Sequence, residues 1–276
     1  MTVEAALQQG RKLLEDAVVI EPRLTAEVLL GYALGRDRAW LYGHPEHELS
    51  DLHWLHYGRY LHERLQGKPT QYITHRQEFY GREFRVTRDV FIPRPETEHV
   101  VEAALALAPG AGSILDVGCG SGAIAITLQL ETGATVWASD VSVAALGVAA
   151  ENARRLKARI HPLACDAMSA IAPRSMDLVV SNPPYVPETE AAGLQREIRD
   201  YEPPVALYGG PTGLDLYRRL ASDAPRVLRP GGWLIVELDY RAAEPVKSML
   251  GDFWQDVQVT TDLAGLPRVL AARYRG

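Results

Sequence analysis

Cysteine is nearly absent from this chain: among 276 residues only Cys119 and Cys165 occur. Small secreted domains rely on many paired cysteines, so this composition excludes a disulfide framework. Both cysteines lie in segments that we predict to run from strand to loop. We expect two reduced thiols, as is typical of cytosolic proteins, and no cysteine nucleophile.

Long hydrophobic runs are also missing. No apolar stretch approaches the roughly 20 residues that a membrane-spanning helix needs. Residues 1–10 contain no basic start followed by an apolar stretch, which a secretory signal would require. These absences predict a protein that is neither anchored in a membrane nor secreted, and we expect a cytoplasmic location.

The chain carries no excess of positive charge, since its formal net charge is −6. Residues 1–90 hold 12 Lys+Arg against 13 Asp+Glu, and residues 91–276 hold 17 against 22. Neutralisation of phosphates supplies most of the affinity of nucleic-acid-binding proteins. The balance therefore weighs against a nucleic acid as a direct partner.

The first part of the chain is predicted to be helical. Leucine and valine recur near helical spacing, and glycines at 10, 31, 35, 43 and 67 interrupt the pattern. We assign residues 1–72 to a small helical domain. His53 and His56 share a helix face there, but no cysteine lies nearby and the carboxylates are scattered, so we expect no metal site.

Residues 73–94 are predicted to form a linker that contains a short β-hairpin. Phe79 to Val90 alternates aromatic and β-branched residues and includes Gly81. Pro93 and Pro95 then stiffen the chain. Pro95 with Glu96 and Glu98 suits the first turn of a helix that runs to Ala108.

Residues 95–276 alternate between strand and helix patterns. We predict an α/β fold with a doubly wound, seven-stranded, mostly parallel sheet. The last two strands are joined by Thr260 to Leu266, which is too short for a crossover helix, so one strand should be antiparallel. Predicted strands lie near 113–117, 134–139, 159–164, 176–181, 231–238, 254–259 and 267–273, with helices near 122–131, 142–156, 212–228 and 241–250.

A glycine-rich turn follows the first of these strands. It reads Asp116-Val117-Gly118-Cys119-Gly120-Ser121-Gly122, and its glycines allow the backbone to turn tightly and approach a ligand before a helix begins. The turn also fits the nicotinamide dinucleotide fingerprint, so alone it does not identify the cofactor.

Acidic residues at three strand ends suggest further contacts with a nucleoside cofactor. Asp140, at the second strand end, is placed to accept hydrogen bonds from ribose hydroxyls, although a helix N-cap is the alternative. Asp116 suits the amino acid ammonium of S-adenosylmethionine, a group that NAD lacks. Asp166, at the third strand end, is placed near an adenine amine, with a surface loop as its alternative.

A second polar turn, Ser181-Asn182-Pro183-Pro184-Tyr185, directly follows the apolar run Met176 to Val180. An amide or exocyclic amine donates its lone pair to a π system and cannot attack a methyl group until that pair is localised. The Asn182 oxygen and a backbone carbonyl, aimed at the NH₂ hydrogens, would favour this localisation. Both prolines lack an N–H, and Tyr185 provides a flat face for stacking or cation–π attraction.

Together these residues resemble the class I S-adenosylmethionine-dependent methyltransferases that act on amino groups. More narrowly, the chain resembles the protein-glutamine N5-methyltransferases of peptide-chain release factors, the HemK/PrmC type, over nearly its whole length. The motifs that carry this resemblance are Gly67-x-Pro69-x-Gln71-Tyr72-Ile73, Phe79-Tyr80-Gly81, Ile92-Pro93-Arg94-Pro95-Glu96-Thr97-Glu98 and Gly209-Gly210-x-x-Gly213-Leu214-Asp215.

The resemblance implies methylation of the glutamine in the Gly-Gly-Gln loop of release factors, with S-adenosylmethionine as donor and the helical domain holding the partner. We also expect a monomer and no metal. Cofactor contacts would come from Asp116, Gly118, Cys119, Gly120, Ser121, Gly122, Asp140, Asp166, Ala167 and Asn182. Catalysis would involve Asn182, Pro183 and Tyr185, and substrate contacts would add Pro184, Arg94 and Glu96.

The sequence departs from the family pattern in three places. Ala167 stands where some relatives have an aromatic residue beside the adenine, which puts stacking there in doubt. Asp239 replaces an expected glycine after Glu237, and Pro267 replaces a more usual polar residue before Arg268. We expect the last two to change loop shape more than chemistry.

Three alternatives remain open. An adenine-N6 DNA or RNA methyltransferase faces the same lone-pair problem, but it would need a flipped base and a basic channel. A nicotinamide-dependent oxidoreductase would leave Asn182 to Tyr185 unexplained. A non-catalytic binding module would leave candidate residues at every site position without a role.

Overall fold

The computed structural model describes residues 1–276 and divides the chain into two compact units. The first unit comprises Met1–Arg76 together with Gln195–Tyr201, and the second comprises Gln77–Leu194 together with Glu202–Gly276. None of the helices combines the length and the apolar character that crossing a membrane requires.

The first unit is a bundle of helices. They are α1 (Val3–Asp16), α2 (Pro22–Leu34), α3 (Arg38–Gly43), α4 (Asp51–Leu65) and α5 (Thr70–Thr74). Side-chain oxygens of Thr2, Asp37 and Ser50 cap α1, α3 and α4 by accepting hydrogen bonds from the first-turn N–H groups. The periodic leucines point inward, and the core contains Leu14, Leu29, Leu30, Tyr57 and Leu61.

A β-hairpin follows the helices. Strands β1 (Arg76–Phe79) and β2 (Arg82–Arg85) are joined by Tyr80 and Gly81, which have φ angles of 51° and 68°. Two successive positive φ angles match the right-handed twist of the strands. The hairpin therefore starts and ends earlier than the predicted span of 79–90, because this turn lies at its centre. The carboxylate of Glu98 accepts a hydrogen bond from the Tyr80 N–H at 2.7 Å.

The rest of the second unit is built on a seven-stranded sheet. Its strands are β3 (Ser113–Val117), β4 (Thr135–Asp140), β5 (Ile160–Ala164), β6 (Met176–Ser181), β7 (Leu228–Glu237), β8 (Trp254–Thr261) and β9 (Pro267–Tyr274), in the order β5-β4-β3-β6-β7-β9-β8. Strand β9 alone runs in the direction opposite to the other six strands, since it pairs antiparallel with both β7 and β8. The predicted seven-stranded, mostly parallel, doubly wound sheet is confirmed.

Helices cover both faces of this sheet. They are α6 (Glu98–Leu107), α7 (Ala123–Thr132), α8 (Val143–Leu156), α11 (Asp215–Val227) and α12 (Ala243–Ser248). Two short helices lie between β6 and β7 in the chain: α9 (Arg196–Tyr201), which belongs to the first unit, and α10 (Pro204–Leu207). Successive strand residues point to opposite faces, so Ile114 enters one core cluster and Leu115 the other. Short 3₁₀ turns occur at Pro95–Thr97 and Glu188–Gly193.

The chain between β6 and β7 contributes a segment to the helical unit. Within that unit the buried guanidinium of Arg64 pairs with Glu197 at 2.5 Å. The Tyr201 hydroxyl donates to the Gln66 carbonyl at 3.2 Å. Residues far apart in sequence are thus joined, which local patterns in residues 1–72 did not indicate.

Glu202 braces the Pro-Arg-Pro segment in the second unit. This carboxylate is buried, with 3% of the residue exposed. It accepts a hydrogen bond from the Ile92 N–H at 3.1 Å and pairs with the Arg94 guanidinium, which lies over the Phe91 ring. A buried carboxylate of this kind costs free energy unless it is paired, so its partners are held firmly.

We expect Glu202→Ala to lower the free energy of unfolding by about 3 kcal/mol, because it leaves the buried Ile92 N–H and the partly buried Arg94 guanidinium without this acceptor. Glu202→Gln should cost less, since its oxygen still accepts from Ile92. Urea denaturation measures both. Glu131→Ala, which removes a surface partner of Arg82, serves as control and should cost under about 1 kcal/mol. Equal losses for Glu202→Ala and Glu131→Ala would contradict the bracing role.

Candidate active site

Two loops leave the sheet side by side at its topological switch point. Strands β3 and β6 are parallel neighbours, with Leu115 opposite Val179 and Asp116 opposite Val180. The strand order changes direction between them, because β4 and β5 lie on one side of β3 while β6 and β7 lie on the other. Ligands bind at such points in doubly wound sheets. The Ser181 hydroxyl donates to the Val117 carbonyl at 2.7 Å and ties the two strand ends together.

The glycine-rich turn after β3 has an open face and a packed face. Gly118, Gly120 and Gly122 all have positive φ angles, of 73°, 53° and 81°. A Cβ on Gly118 or Gly120 would meet nothing within 4 Å, whereas one on Gly122 would lie 2.9 Å from Cδ1 of Ile126. The turn therefore packs on α7 and leaves room for a ligand along its first half. Between these glycines, Cys119 and Ser121 are both buried.

Asp116 is almost fully buried beneath this turn. One carboxylate oxygen accepts a hydrogen bond from the Ala125 N–H at 3.0 Å, and the other has no partner. Burial raises the pKa of Asp116 to about 7; the Ala125 hydrogen bond opposes the rise, and the charge of Asp140 adds to it. An unpartnered buried carboxylate oxygen suits a cationic ligand group such as an ammonium.

Asp140 is held in place by backbone donors. Its oxygens accept from the Gly120 N–H at 2.9 Å and from the Ser142 N–H at 2.8 Å. The helix N-cap of α8 is Ser142, whose side chain accepts from Ala145, so Asp140 does not have that alternative role. Each Asp140 oxygen retains acceptor capacity for a hydroxyl ligand.

Asp166 and Ala167 follow β5 and differ in exposure. Asp166 is exposed and pairs with Arg219 at 2.7 Å, a hydrogen bond that lowers its pKa. Ala167 has a φ of 48°, and its methyl group is buried in a core cluster. Its carbonyl accepts from the Ser139 hydroxyl and the Cys165 thiol. Ala167 can therefore offer a ligand little more than its backbone.

Asn182 is oriented by a residue that the sequence patterns did not single out. Its Nδ2 donates to Oγ1 of Thr97 at 3.0 Å, and Thr97 is 3% exposed. With the NH₂ end of the amide engaged, Oδ1 is the end left for an incoming donor. Thr97 stands inside the Pro-Arg-Pro-Glu-Thr-Glu string, which was the only signal pointing to it.

The glycines of the Gly-Gly-x-x-Gly motif pack against the Asn-Pro-Pro-Tyr turn. A Cβ on Gly209 would overlap the Pro184 carbonyl, and one on Gly213 would overlap the Tyr185 carbonyl. The Gly209 N–H donates to Val186 O, and the Glu188 N–H donates to Gly210 O. The carbonyls of Pro184 and Tyr185 thus face these glycines. The Pro183 carbonyl is left as the candidate acceptor of a hydrogen bond from a ligand.

Tyr185 packs against a core cluster, and its phenol remains neutral. Burial raises its pKa, and the nearby Glu237 and Asp239 carboxylates raise it further, while Arg94 and Arg268 oppose the change. Burial raises the pKa of the Glu237 carboxyl, and the nearby charge of Glu96 raises it further. The side chains around the turn therefore provide hydrogen-bond acceptors and an aromatic surface rather than a strong base.

The two cysteines are free thiols. Burial raises the pKa of the Cys119 thiol well above its usual range, so this thiol lacks the thiolate character of a nucleophile. No group of three or more histidine, cysteine or carboxylate side chains is arranged to hold a metal ion.

Comparisons with known proteins identify relatives over both units. Residues 5–74 match the family described as the PrmC N-terminal domain, and residues 99–198 match the methyltransferase small domain. A protein of Koribacter versatilis named release factor glutamine methyltransferase is 46% identical over 277 residues, covering 99% of each chain. A protein of the same name from Chlorobaculum tepidum is 46% identical over 265 residues, covering 91% of this chain and 90% of the relative.

Solved structures share the fold at low identity. A methyltransferase from Pyrococcus furiosus has a TM-score of 0.55 and 17% identity, covering 72% of this chain and 91% of that one. A 16S ribosomal RNA methyltransferase from Thermus thermophilus, solved with AdoMet and guanosine, has a TM-score of 0.53 and 21% identity, covering 72% and 50%. Both indicate the class I methyltransferase fold.

Alanine substitutions at Gly118 and Gly122 should affect ligand binding and protein stability to different extents. Gly118→Ala and Gly122→Ala both place an L-residue at positive φ, which costs about 1–2 kcal/mol. Gly122→Ala should destabilise further through overlap with Ile126. Gly118→Ala should instead weaken S-adenosylmethionine binding more than about tenfold, which corresponds to 1.4 kcal/mol. Thermal melting and calorimetric titration measure the two effects; unchanged affinity in Gly118→Ala would contradict the open-face assignment.

Proposed function

We infer the reaction from one premise: the chain belongs to the release factor glutamine methyltransferase family. It transfers a methyl group from S-adenosylmethionine to the side-chain amide nitrogen, N5, of a glutamine in a release factor. We propose that this glutamine lies in the Gly-Gly-Gln loop. The observation that carries the proposal is the hydrogen bond from Nδ2 of Asn182 to Thr97, which leaves Oδ1 to accept from the glutamine amide. Asn182 follows β6, the parallel neighbour of the strand that precedes the glycine turn.

The residues around β3 to β5 fit S-adenosylmethionine. When bound, this cofactor supplies an electrophilic methyl group on a sulfonium. We propose that Asp116 binds its ammonium and that Asp140 accepts from its ribose hydroxyls. Residues 118–122 would provide the backbone surface, Asp166 would accept from the adenine amine beside its Arg219 pair, and Ala167 would contribute its backbone.

Asn182 and Pro183 carry the chemical step in this proposal. Oδ1 of Asn182 and the Pro183 carbonyl accept the two amide hydrogens of the glutamine, which localises the nitrogen lone pair. Tyr185 packs on the amide plane, and Pro184 shapes the turn. No strong base is needed, because the nitrogen proton becomes acidic once the methyl group is attached, and water then accepts it.

Arg94 and Glu96 are proposed to contact the substrate loop from the segment that carries Thr97. Residues 1–72 would hold the release factor, residues 73–94 would act as the linker, and residues 95–276 would carry out methyl transfer. We further propose a cytoplasmic monomer that has no direct nucleic-acid partner.

The proposed function is tested by incubating the protein with labelled S-adenosylmethionine and a release factor whose Gly-Gly-Gln loop is intact or carries alanine for glutamine. DNA and RNA are included in parallel. Label should enter only the intact loop. Label on nucleic acid but not on the loop would instead support the adenine-N6 alternative.

We expect Asn182→Ala to lower kcat for glutamine methylation by about 10²-fold or more, because one of two acceptors for the amide hydrogens is lost. Single-turnover assays with saturating cofactor measure the effect. The melting temperature should stay close to that of the original chain, which controls for misfolding. Methylation at the original rate in Asn182→Ala would show that the assignment is wrong.

The affinity for S-adenosylmethionine should decrease below pH 7. The pKa of Asp116 in the free protein is about 7, and a bound ammonium favours the ionised carboxylate, so binding at lower pH must release a proton. The association constant should then fall by up to about tenfold per pH unit below pH 7. Calorimetry between pH 6 and 7, in two buffers of different ionisation enthalpy, measures the proton release.

Asp116→Asn is the matched control, since its side-chain oxygen can still accept from Ala125. It should bind more weakly at pH 7 and lose the pH dependence over this range. An unchanged slope in Asp116→Asn would assign the titration to another group.

A further inference from the structure

We propose that Arg64 of the helical unit is a positioning residue for methyl transfer. It fixes, through Glu197 and Glu202, the hydrogen bond that orients Asn182. The proposal rests on the proposed role of Asn182 and extends it to a buried charge of the other compact unit, to which the chemistry at the turn assigns no role. Each step between Arg64 and Asn182 is a hydrogen bond, an ion pair or a short stretch of backbone.

Two contacts hold helix α9 on the end of α4. The buried guanidinium of Arg64, in the last turn of α4, pairs with the Glu197 carboxylate at 2.5 Å. The Tyr201 hydroxyl donates to the carbonyl of Gln66, the C-cap residue of α4, at 3.2 Å. Glu197 lies in the first turn of α9 and Tyr201 is its last residue. The helix is therefore fixed at both ends.

Two features make this anchor firm. Gly67, which begins the Gly-x-Pro-x-Gln-Tyr-Ile motif, has a φ of 95°, and a Cβ on it would lie 3.2 Å from Nε of Arg196, so the glycine permits the close approach of α9. Nε of Arg64 is buried without a partner, and its Nη1 donates to the Lys68 carbonyl at 3.4 Å. Glu197 thus provides the charge that offsets burial of the guanidinium, and an unpaired buried charge strongly destabilises a fold.

Glu202 directly follows Tyr201 in the chain and belongs to the second unit. Its buried carboxylate accepts from the Ile92 N–H at 3.1 Å and pairs with the Arg94 guanidinium. Consecutive Cα atoms are about 3.8 Å apart. The anchored end of α9 therefore restricts where Glu202 can lie, and Glu202 in turn restricts the Pro-Arg-Pro segment.

The Pro-Arg-Pro segment leads directly to the residue that orients Asn182. The Thr97 N–H donates to the Arg94 carbonyl at 3.1 Å, which closes the 3₁₀ turn that Pro95 begins. The proline ring fixes φ at Pro95, so this turn moves together with Arg94. Oγ1 of the buried Thr97 accepts from Nδ2 of Asn182 at 3.0 Å. Arg64 is thereby connected to the amide orientation of Asn182.

Loss of the anchor should disturb the chemical step more than ligand binding. With α9 released, Glu202 and Thr97 sample more positions, and Oδ1 of Asn182 is held less accurately against the glutamine amide. A misplacement of about 1 Å can cost about 10²-fold in rate. The cofactor contacts proposed around β3 to β5 lie on other loops, so the affinity for S-adenosylmethionine should remain. A residue that only docked the release factor would instead raise KM and leave kcat unchanged.

Arg64→Met tests the proposal, because methionine fills much of the site and carries no charge. Glu197 is 26% exposed and can be hydrated once its partner is gone. We expect kcat at saturating cofactor and release factor to fall about tenfold, with an unchanged dissociation constant for S-adenosylmethionine. Steady-state assays and calorimetric titration measure the two quantities. Arg38→Met is the matched control, since Arg38 pairs with the buried Glu27 of the same unit at 2.7 Å; it should lower the melting temperature but not kcat.

A double variant shows whether Arg64 acts through Asn182. In Asn182→Ala the oxygen that Arg64 helps to place is already gone. Arg64→Met should therefore cause little further loss of kcat in that background. Unrelated structural damage would multiply the two losses.

Two substitutions at Glu197 apply even if Arg64→Met fails to fold. Glu197→Gln keeps an oxygen that accepts from Arg64 and should keep most of the original kcat. Glu197→Ala removes the acceptor, and its kcat should fall as in Arg64→Met. Retention of kcat by the glutamine variant separates the anchor from a general effect of substitution at this position.

Four results would overturn the positioning role. They are an Arg64→Met or Glu197→Ala kcat within about twofold of the original chain, a change in KM alone, an equal fall of kcat in Arg38→Met, or multiplied losses in the double variant. Failure of this role and failure of the proposed function are distinguishable. If the original chain methylates the loop glutamine and Asn182→Ala does not, while Arg64→Met does so at the original rate, only the positioning role is wrong. If the original chain labels no release factor, the proposed function itself is wrong.

Discussion

Parallel pairing of β3 with β6 is the constraint on which the rest of the second unit depends. These neighbouring strands end together, so the glycine turn and the Asn-Pro-Pro-Tyr turn emerge at one edge of the sheet although about 60 residues separate them. Parallel strands must be connected by crossovers, and the crossover helices cover both faces and bury the apolar strands. The open half of the glycine turn therefore lies next to Asn182.

Burying a carboxylate costs free energy, and the buried carboxylates of this unit differ in how far hydrogen bonds and ion pairs offset that cost. Glu202 is paired with Arg94 and with the Ile92 N–H, so it acts as a structural brace. Asp116 and Glu237 each keep an oxygen without a partner, and burial raises the pKa of both to about 7. Unpaired buried acceptors destabilise a fold. Both lie beside turns that we assign to the cofactor and the substrate, where they can act on a ligand.

Local patterns predicted most of the fold and part of the site. Strand and helix periodicity predicted the elements of the sheet, because burial of alternate faces is recorded residue by residue. The short connection between the last two strands predicted that one strand is antiparallel. Thr97, Glu202 and the Arg64–Glu197 pair were not predicted. Their partners lie 85, 110 and about 130 residues away in the chain, and no periodicity records such contacts.

The sequence by itself determined the secondary structure, the glycine turn, the acceptor-rich turn and, through its motifs, the family. These follow from backbone sterics and side-chain chemistry within a few residues, which the order of amino acids states directly. The tertiary structure decided which end of the Asn182 amide is engaged, which carbonyl is left for a ligand, and which carboxylates are buried without partners. These depend on hydrogen-bond direction and desolvation, which exist only once distant segments pack together.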